Sequence, residues 1–591
     1  MTYPFRLLST LILVSACIIG VACSATNQQP NVILILTDDQ GFGDLRSHGN
    51  DIIDTPNMDR IADEGVRFDR FFVSPMCGPT RAALLTGRDN LRTGVSWVSH
   101  GKETLRLNEV TIADVFHQAG YATGAFGKWH NGEYGPYHPN SRGFQTFVGF
   151  CRGAWQNYFD PVLEHNREPI QTEGYITDVL TDAAIDFMDQ NRSRPFFCYI
   201  PYNAPHHPFQ IPGKYFEKYM QRGCKDETAC VYGMVENIDD NIARILDKLD
   251  QWQLTENTIL VFLSDNGPWK ERYNAGMRGR KAEVDEGGVR VPLFIRWPGQ
   301  IQSGTTIPQI AAHIDLFPTI LELCGIPAPD TQPLDGRSLV PLLKSDTAQW
   351  PDRMLFTHQN RLGRTEMTPG AVRTQQHRLV NRGNGYELFD MVEDPGQTRD
   401  IAGAYPQVTN RLSSAYEKWY SEVTAEGVAP PPIPVGHPAA DVTAMQGEDA
   451  TLYGVKFRGG TGWAHASILN WKSTDDSVTW NLDVLRPGQY EITLMYSCSP
   501  ADVGSRIQIS VGTEKVEATI ARAHDPQQPD SYRHPTREVT TSGPVWVKNF
   551  VSLTFQPVML RKGPVNLNVS VLDIPENGTF EVKEVRVRRL D

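Results

Sequence analysis

Two short stretches constrain this chain more than any other. Asn31–Thr37, NVILILT, and Asn257–Ser264, NTILVFLS, are continuous apolar runs of strand length. Asp38-Asp39 follows the first at once, and Asp265-Asn266 follows the second. A strand that is apolar on both faces needs helices on both faces, which places it inside a parallel sheet. Such sheets bind ligands at the carboxyl ends of their strands, where these four polar residues fall. Between the runs, Val231–Trp252 sets Met234, Ile238, Ile242, Ile245, Leu246 and Leu249 at helical intervals. The pattern predicts an α/β core with a mostly parallel central sheet flanked by helices.

A chain of 591 residues exceeds one ordinary domain. At Ala425–Ala440, AEGVAPPPIPVGHPAA, the composition turns proline-rich and charge-poor, which reads as an extended linker over 425–437. Beyond it, SVTWNLDV, YEITLMY, FVSLTF and VNLNVSVL alternate apolar and polar residues, predicting an all-β sandwich over 438–591. At the other end, Arg6 precedes a short apolar run that closes on small residues, the pattern of a secretory signal over 1–25. Export to the periplasm or the cell surface is the expectation. Cys17 and Cys23 resemble lipoprotein processing sites, so a lipid anchor at Cys23 and simple cleavage near Ala25 both stay open.

Seven cysteines lie outside this leader, too few for a disulfide scaffold, although Cys224 and Cys230 could close a short loop. No spacing resembles a zinc site. A formal charge of -13 with 40% hydrophobic and 21% charged residues suits a soluble globular protein and argues against a nucleic-acid partner. It does not exclude a basic pocket for an anionic substrate.

In SPMCGPTRAALLTGR, Ser74–Arg88, Pro79 suits a first helical turn and Gly87 a helix stop, which puts Cys77 just outside a helix N-terminus. With Arg81 one turn on, the thiol would bind an anion or act as a low-pKa nucleophile; a small buried cysteine is the bland alternative. The order Cys77-Gly-Pro79-Thr-Arg81-Ala-Ala-Leu84-Leu-Thr86-Gly87-Arg88 resembles the signature of type I sulfatases in the alkaline phosphatase superfamily. GYATGAFGKWH, Gly120–His130, resembles the second family signature and contributes Lys128 and His130, with Phe126 a mild departure. NAPHHPF, Asn203–Phe209, resembles a third segment and puts His206 at the matching histidine, with His207 a competitor. MRGRKAEVDEGGVRVP aligns Lys281 with the family lysine. The likeness spans about 31–423, and Tyr386–Ile401 looks like the family's small C-terminal sheet and helix, which assigns 26–345 to the catalytic domain and 346–424 to that subdomain.

The resemblance implies an alkaline-phosphatase-like fold and oxidation of Cys77 to Cα-formylglycine by a formylglycine-generating or sulfatase-maturing enzyme. One hydroxyl of the hydrated aldehyde then attacks sulfur. Arg81, Lys128 and Lys281 hold the ester, His206 and Lys281 serve the leaving alcohol, and His130 assists release of sulfate. Each Asp38-Asp39 or Asp265-Asn266 pair alone reads as a loop turn, but together, after two buried strands, they read as oxygen ligands for a hard cation. The resemblance assigns Asp38, Asp39, Cys77, Asp265 and Asn266 to calcium, with magnesium as the alternative.

Phosphodiester and phosphonate monoester hydrolases share the cysteine motif and form the enzymatic alternative; a non-catalytic surface carbohydrate-binding protein is the other. Export and an added sandwich point to a sulfated polysaccharide or oligosaccharide, with aryl sulfates as small analogues. Trp463, Trp471, Trp480 and Trp546 permit a carbohydrate-binding module or a buttress against the main domain. The short linker favours the buttress, and the regular alternation around Trp480 makes that ring a core residue.

Overall fold

The computed structural model describes residues 1, 29–330, 332–345, 350–360, 364–526, 539–540, 548–573 and 580–591. The leader with Cys17 and Cys23 lies outside these residues, as does Trp546.

Both apolar runs are central strands. Asn31–Thr37 lies parallel between Phe196–Pro201 and Thr258–Ser264, all seven of its residues buried. Ala122–Lys128 and Thr146–Phe150 extend the parallel run on one side. On the other side Leu293–Arg296 runs antiparallel between Thr258–Ser264 and Val66–Phe72, so the sheet is mixed at that edge. Helices Ile176–Gln190 and Asp226–Gln251 pack one face through Leu180, Ile238, Ile242 and Ile245, while Ile112–Gln118 and Leu316–Leu323 cover the other. A separate four-stranded antiparallel sheet, Leu355–His358 to Tyr386–Asp390, carries the helix Pro406–Val423.

The proline-rich stretch is not a free linker to its end. Ile433–Val435 forms a strand parallel to Leu482–Val484 at the edge of a sandwich sheet, where Pro434 is tolerated. Two sheets of six and seven strands make up the sandwich. Trp480 is fully buried between them and donates from Nε1 to the Gln446 carbonyl at 2.7 Å, as the alternation around it predicts. Tyr134 and Tyr137 of the main domain belong to the same apolar core as the sandwich, so the two units share buried surface. Cys224 and Cys230 are thiols, not a disulfide: Cys230 sits inside the helix Asp226–Gln251 with its side chain turned into the main core.

Candidate active site

The parallel strands deliver their polar residues to one end of the sheet. Asp38 and Asp39 follow Thr37, Asp265 and Asn266 follow the neighbouring Ser264, and Lys128 closes the strand two places away. Asp39 has φ of 67° and His130 φ of 60°, left-handed backbone that costs about 1 kcal/mol or more for a non-glycine residue. Both strained positions lie in the site. The Asp39 amide donates to Asp265 Oδ1 at 3.2 Å, and Asn266 Nδ2 donates to Asp39 Oδ1 at 2.7 Å, tying the two strand ends together.

Helix Cys77–Thr86 aims its N-terminus at this cluster. Cys77 is the first helical residue rather than a residue before the helix, Pro79 lies in the first turn, and Gly87 ends the helix with φ of 69°. All ten residues are buried. A Cβ on Gly78 would lie 3.2 Å from the Trp97 carbonyl, which is why the residue after the cysteine has no side chain. Sγ of Cys77 lies with carboxylate oxygens of Asp38 and Asp265 inside one group spanning no more than 4.8 Å, and Asp39, His206 and His207 form another. Burial pushes the Cys77 thiol up, only partly offset by Lys128 and Lys281, so an unmodified cysteine here is a poor thiolate.

Charges are paired throughout. Lys128 Nζ lies 2.5 Å from Asp38, and Lys281 Nζ 2.5 Å from Asp39. Arg81 donates to Asp265 from Nε at 3.1 Å and Nη2 at 2.8 Å, and from Nη1 to the Lys128 carbonyl at 2.8 Å. Its donors are therefore turned to the protein, and Arg81 positions Asp265 and the Lys128 backbone. Each lysine has one carboxylate partner and two further N–H groups for an anion. Three carboxylates, Asp38, Asp39 and Asp265, balance three cations, Arg81, Lys128 and Lys281. Burial raises Asp38, but Lys128, with Arg81 and Lys281, holds it far below the usual carboxylate range. Burial and then Asp38 push Asp265 up to about 7, against Arg81 and Lys128.

The donor set fits a hard divalent cation. Asp38 Oδ1, Asp39 Oδ2 and Asn266 Oδ1 are buried and have no hydrogen-bond partner, three oxygens of the kind that calcium or magnesium takes.

Two histidines complete the site. His130 Nε2 lies 3.0 Å from the Val98 carbonyl, an acceptor, so Nε2 carries the proton and the buried, unpartnered Nδ1 is a base. His206 Nδ1 lies 2.6 Å from the His207 carbonyl, which fixes its proton in the same way and leaves Nε2, 3.9 Å from Asp39, with a lone pair. Burial, then Lys128, keeps His130 neutral; burial, then Lys281, does so for His206. The rings of His206 and His207 stack at 4.3 Å, with His207 at the solvent side near Trp269.

All ten residues expected from the sequence thus converge. Sequence reasoning missed Trp97 and Val98, which wall the cysteine and anchor His130. The segment TGVSWVSHG carries no pattern that marks it, because one contributes a ring and the other only a carbonyl.

Comparisons with known proteins agree with this geometry. The family model described as "Sulfatase" matches residues 30–326, and that described as "N-sulphoglucosamine sulphohydrolase, C-terminal" matches 280–421. The chain is 31% identical to the uncharacterized sulfatase YdeN of Escherichia coli over 483 residues, 67% of this chain and 86% of that protein. It is 33% identical to human N-acetylgalactosamine-6-sulfatase over 375 residues, covering 58% and 70%. Ps i-CgsB, crystallised in complex with k-i-k-neocarrahexaose, superposes with a TM-score of 0.63 at 29% identity, over 66% of this chain and 93% of that one. The matches place this chain, with its buried cysteine helix, paired carboxylates, lysines and histidines at one end of the sheet, in the sulfatase family of the alkaline phosphatase superfamily, as a sulfuric ester hydrolase.

Proposed function

We propose that this enzyme removes sulfate from sulfated oligosaccharides or polysaccharides, and from aryl sulfates, through a Cα-formylglycine made from Cys77 and a calcium ion. The carrying observation is the convergence around Cys77 of two lysines with spare donors and three buried oxygens without partners. The family generally uses a formylglycine and a divalent metal. One relative is named for a sulfated amino sugar and one solved neighbour holds a neocarrahexaose, which supports a sugar substrate.

Asp38, Asp39, Asp265, Asn266 and residue 77 would hold the ion. Bound there, the ion supplies Lewis acidity, and the hydrated aldehyde supplies a nucleophilic hydroxyl. Lys128 and Lys281 grip the ester oxygens and offset charge that builds on them in the transition state. Arg81 keeps Asp265 in place. His130 accepts a proton at Nδ1 from a hydroxyl of residue 77. Lys281 stays charged, since burial lowers its proton affinity but Asp39 and the neighbouring acids raise it further, and its N–H hydrogen-bonds the leaving oxygen. His206, kept neutral by burial and then by Lys281, joins it once an anionic ester offsets the field of that lysine.

The test is mass spectrometry of the Cys77 peptide from active enzyme, with turnover of a sulfated glycan, an aryl sulfate and a phosphodiester. Formylglycine and faster sulfate release are expected. An unmodified cysteine in active enzyme sinks the nucleophile, and faster phosphodiester cleavage moves the chain to a phosphorus substrate. Metal analysis of the purified protein decides between calcium and magnesium. We also infer export to the periplasm or cell surface from the leader, with a lipid at Cys23 as one form; fractionation and mass of the mature N-terminus test both.

A further inference from the structure

The active-site cluster touches the junction with the sandwich through Trp97. Trp97 packs in one buried cluster with Met76, Cys77 and Val98, and its ring stacks on Trp463 of the sandwich at 6.2 Å and 27°. Trp97 is 8% exposed and Trp463 48%, so the inner ring is fixed and the outer one faces water. A rigid, half-exposed indole held against a second ring is a ready platform for the apolar face of a sugar.

Beside this pair a crevice of about 20 Å³ is lined by Glu133, Arg152 and Gly153 of the main domain and by Glu448 and Asp449 of the sandwich. It takes about one hydroxyl or one water, not a ring. The crevice backs onto the reaction centre, because a Cβ on Gly153 would lie 2.5 Å from His130 Nε2. Glu448 is 5% exposed, and its Oε2 has no hydrogen-bond partner; Glu103 Oε2 and Asp449 Oδ1 are in the same state. Buried acceptors facing a cavity need donors. Arg152 is already engaged by Glu133 at 3.1 Å and His465 at 3.0 Å. Among the described residues these carboxylates form no group converging on one point, whereas Asp38, Cys77 and Asp265 do, which separates the crevice from a cation site.

We propose that the junction binds the sugar next to the sulfated one, as an uncharged pyranose that lies on Trp463 and donates a hydroxyl to Glu448. The proposal rests on the sulfatase reading above and names the substrate class for it. Glu103, Glu133, Glu448 and Asp449 line the crevice, with Arg152 among them. A carboxylate or a second sulfate is larger than the single hydroxyl it takes, whereas a hydroxyl fits and meets free acceptors.

The test is inhibition of 4-nitrophenyl sulfate hydrolysis by two matched disaccharides, each a sulfated N-acetylgalactosamine linked either to galactose or to glucuronate. The galactose form is expected to inhibit about tenfold more tightly or better, a difference of about 1.4 kcal/mol. Trp463→Ala raises its inhibition constant about tenfold, and Glu448→Gln narrows the preference between the two sugars. Equal constants, tighter binding of the glucuronate form, or no change in Trp463→Ala overturn the junction site. If the matured enzyme leaves 4-nitrophenyl sulfate intact, the sulfatase reading fails instead, and calorimetric binding of the same disaccharides to wild type and Trp463→Ala still decides the junction.

Discussion

Arg81 shows how one side chain serves both the stability and the chemistry of this site. It is fully buried, as are Asp38 and Asp265, and it binds Asp265 through two nitrogens. Arg81→Ala leaves an acid buried without its partner, a change that costs about 3–5 kcal/mol. Urea unfolding should show that loss in metal-depleted protein and a smaller one after a divalent cation is added, because the cation replaces the missing charge. In the proposed mechanism His206 and Lys281 share the leaving group. His206→Ala should lower kcat/KM about 10- to 100-fold more on sulfated sugars than on activated aryl sulfates, which leave without a proton. Equal losses on both substrates would assign the whole role to Lys281. Asp38, Asp39, Asp265 and Asn266 were legible because they follow apolar strands at once, and Cys77 and Arg81 because a helix starts there, whereas Lys128, His130, His206 and Lys281 came from the family resemblance. Their partners were not, and the turning of the Arg81 donors toward Asp265 and Lys128 emerges only when strands 227 residues apart lie side by side.

At the scale of elements, the strand Ala122–Lys128 places Lys128 by way of a close approach at Gly127. This glycine has φ of 141°, and a Cβ there would lie 2.1 Å from the Pro201 carbonyl. Gly127→Ala should therefore destabilise the fold by about 2 kcal/mol or more and displace Lys128, so that activity falls further than stability alone explains. Thermal unfolding and kcat/KM, measured together below the transition, check it. The central strands were readable because full burial forces an unbroken apolar run, and the helix Asp226–Gln251 because one face is apolar. The short strand Ile433–Val435 was not, since three prolines before it and one inside it mask an edge strand that is held by its neighbour Leu482–Val484.

Over the whole molecule, the sandwich is joined to the main domain by a polar seam. Tyr134 donates to Asp449 at 2.5 Å, and Arg152 links Glu133 to His465. Burial, then Glu448 and Glu133, push Asp449 up to about 8, against the Tyr134 hydrogen bond and Arg152. A carboxyl whose folded pKa lies above its unfolded value of 3.8 takes up a proton on folding, so its contribution is present at low pH and fades as pH rises from about 4 through about 8. The wild-type unfolding temperature should fall over that window relative to Asp449→Asn, whose amide cannot ionise; parallel pH profiles would remove Asp449 as the cause. The seam was invisible in the sequence, because Trp97–Trp463 and Tyr134–Asp449 join segments that no local pattern relates. The tyrosine has another consequence, in time. Tyr134 and Tyr137 belong to a core whose other members begin at Ile433, 299 residues beyond Tyr134, with Asp449 315 residues beyond it. At about 5–20 residues per second, a ribosome takes roughly 15–60 seconds to make that interval. Through that wait the first domain has two aromatic rings and no wall to cover them, so the nascent chain should be most prone to aggregate, and most in need of a chaperone, just before its last strands appear.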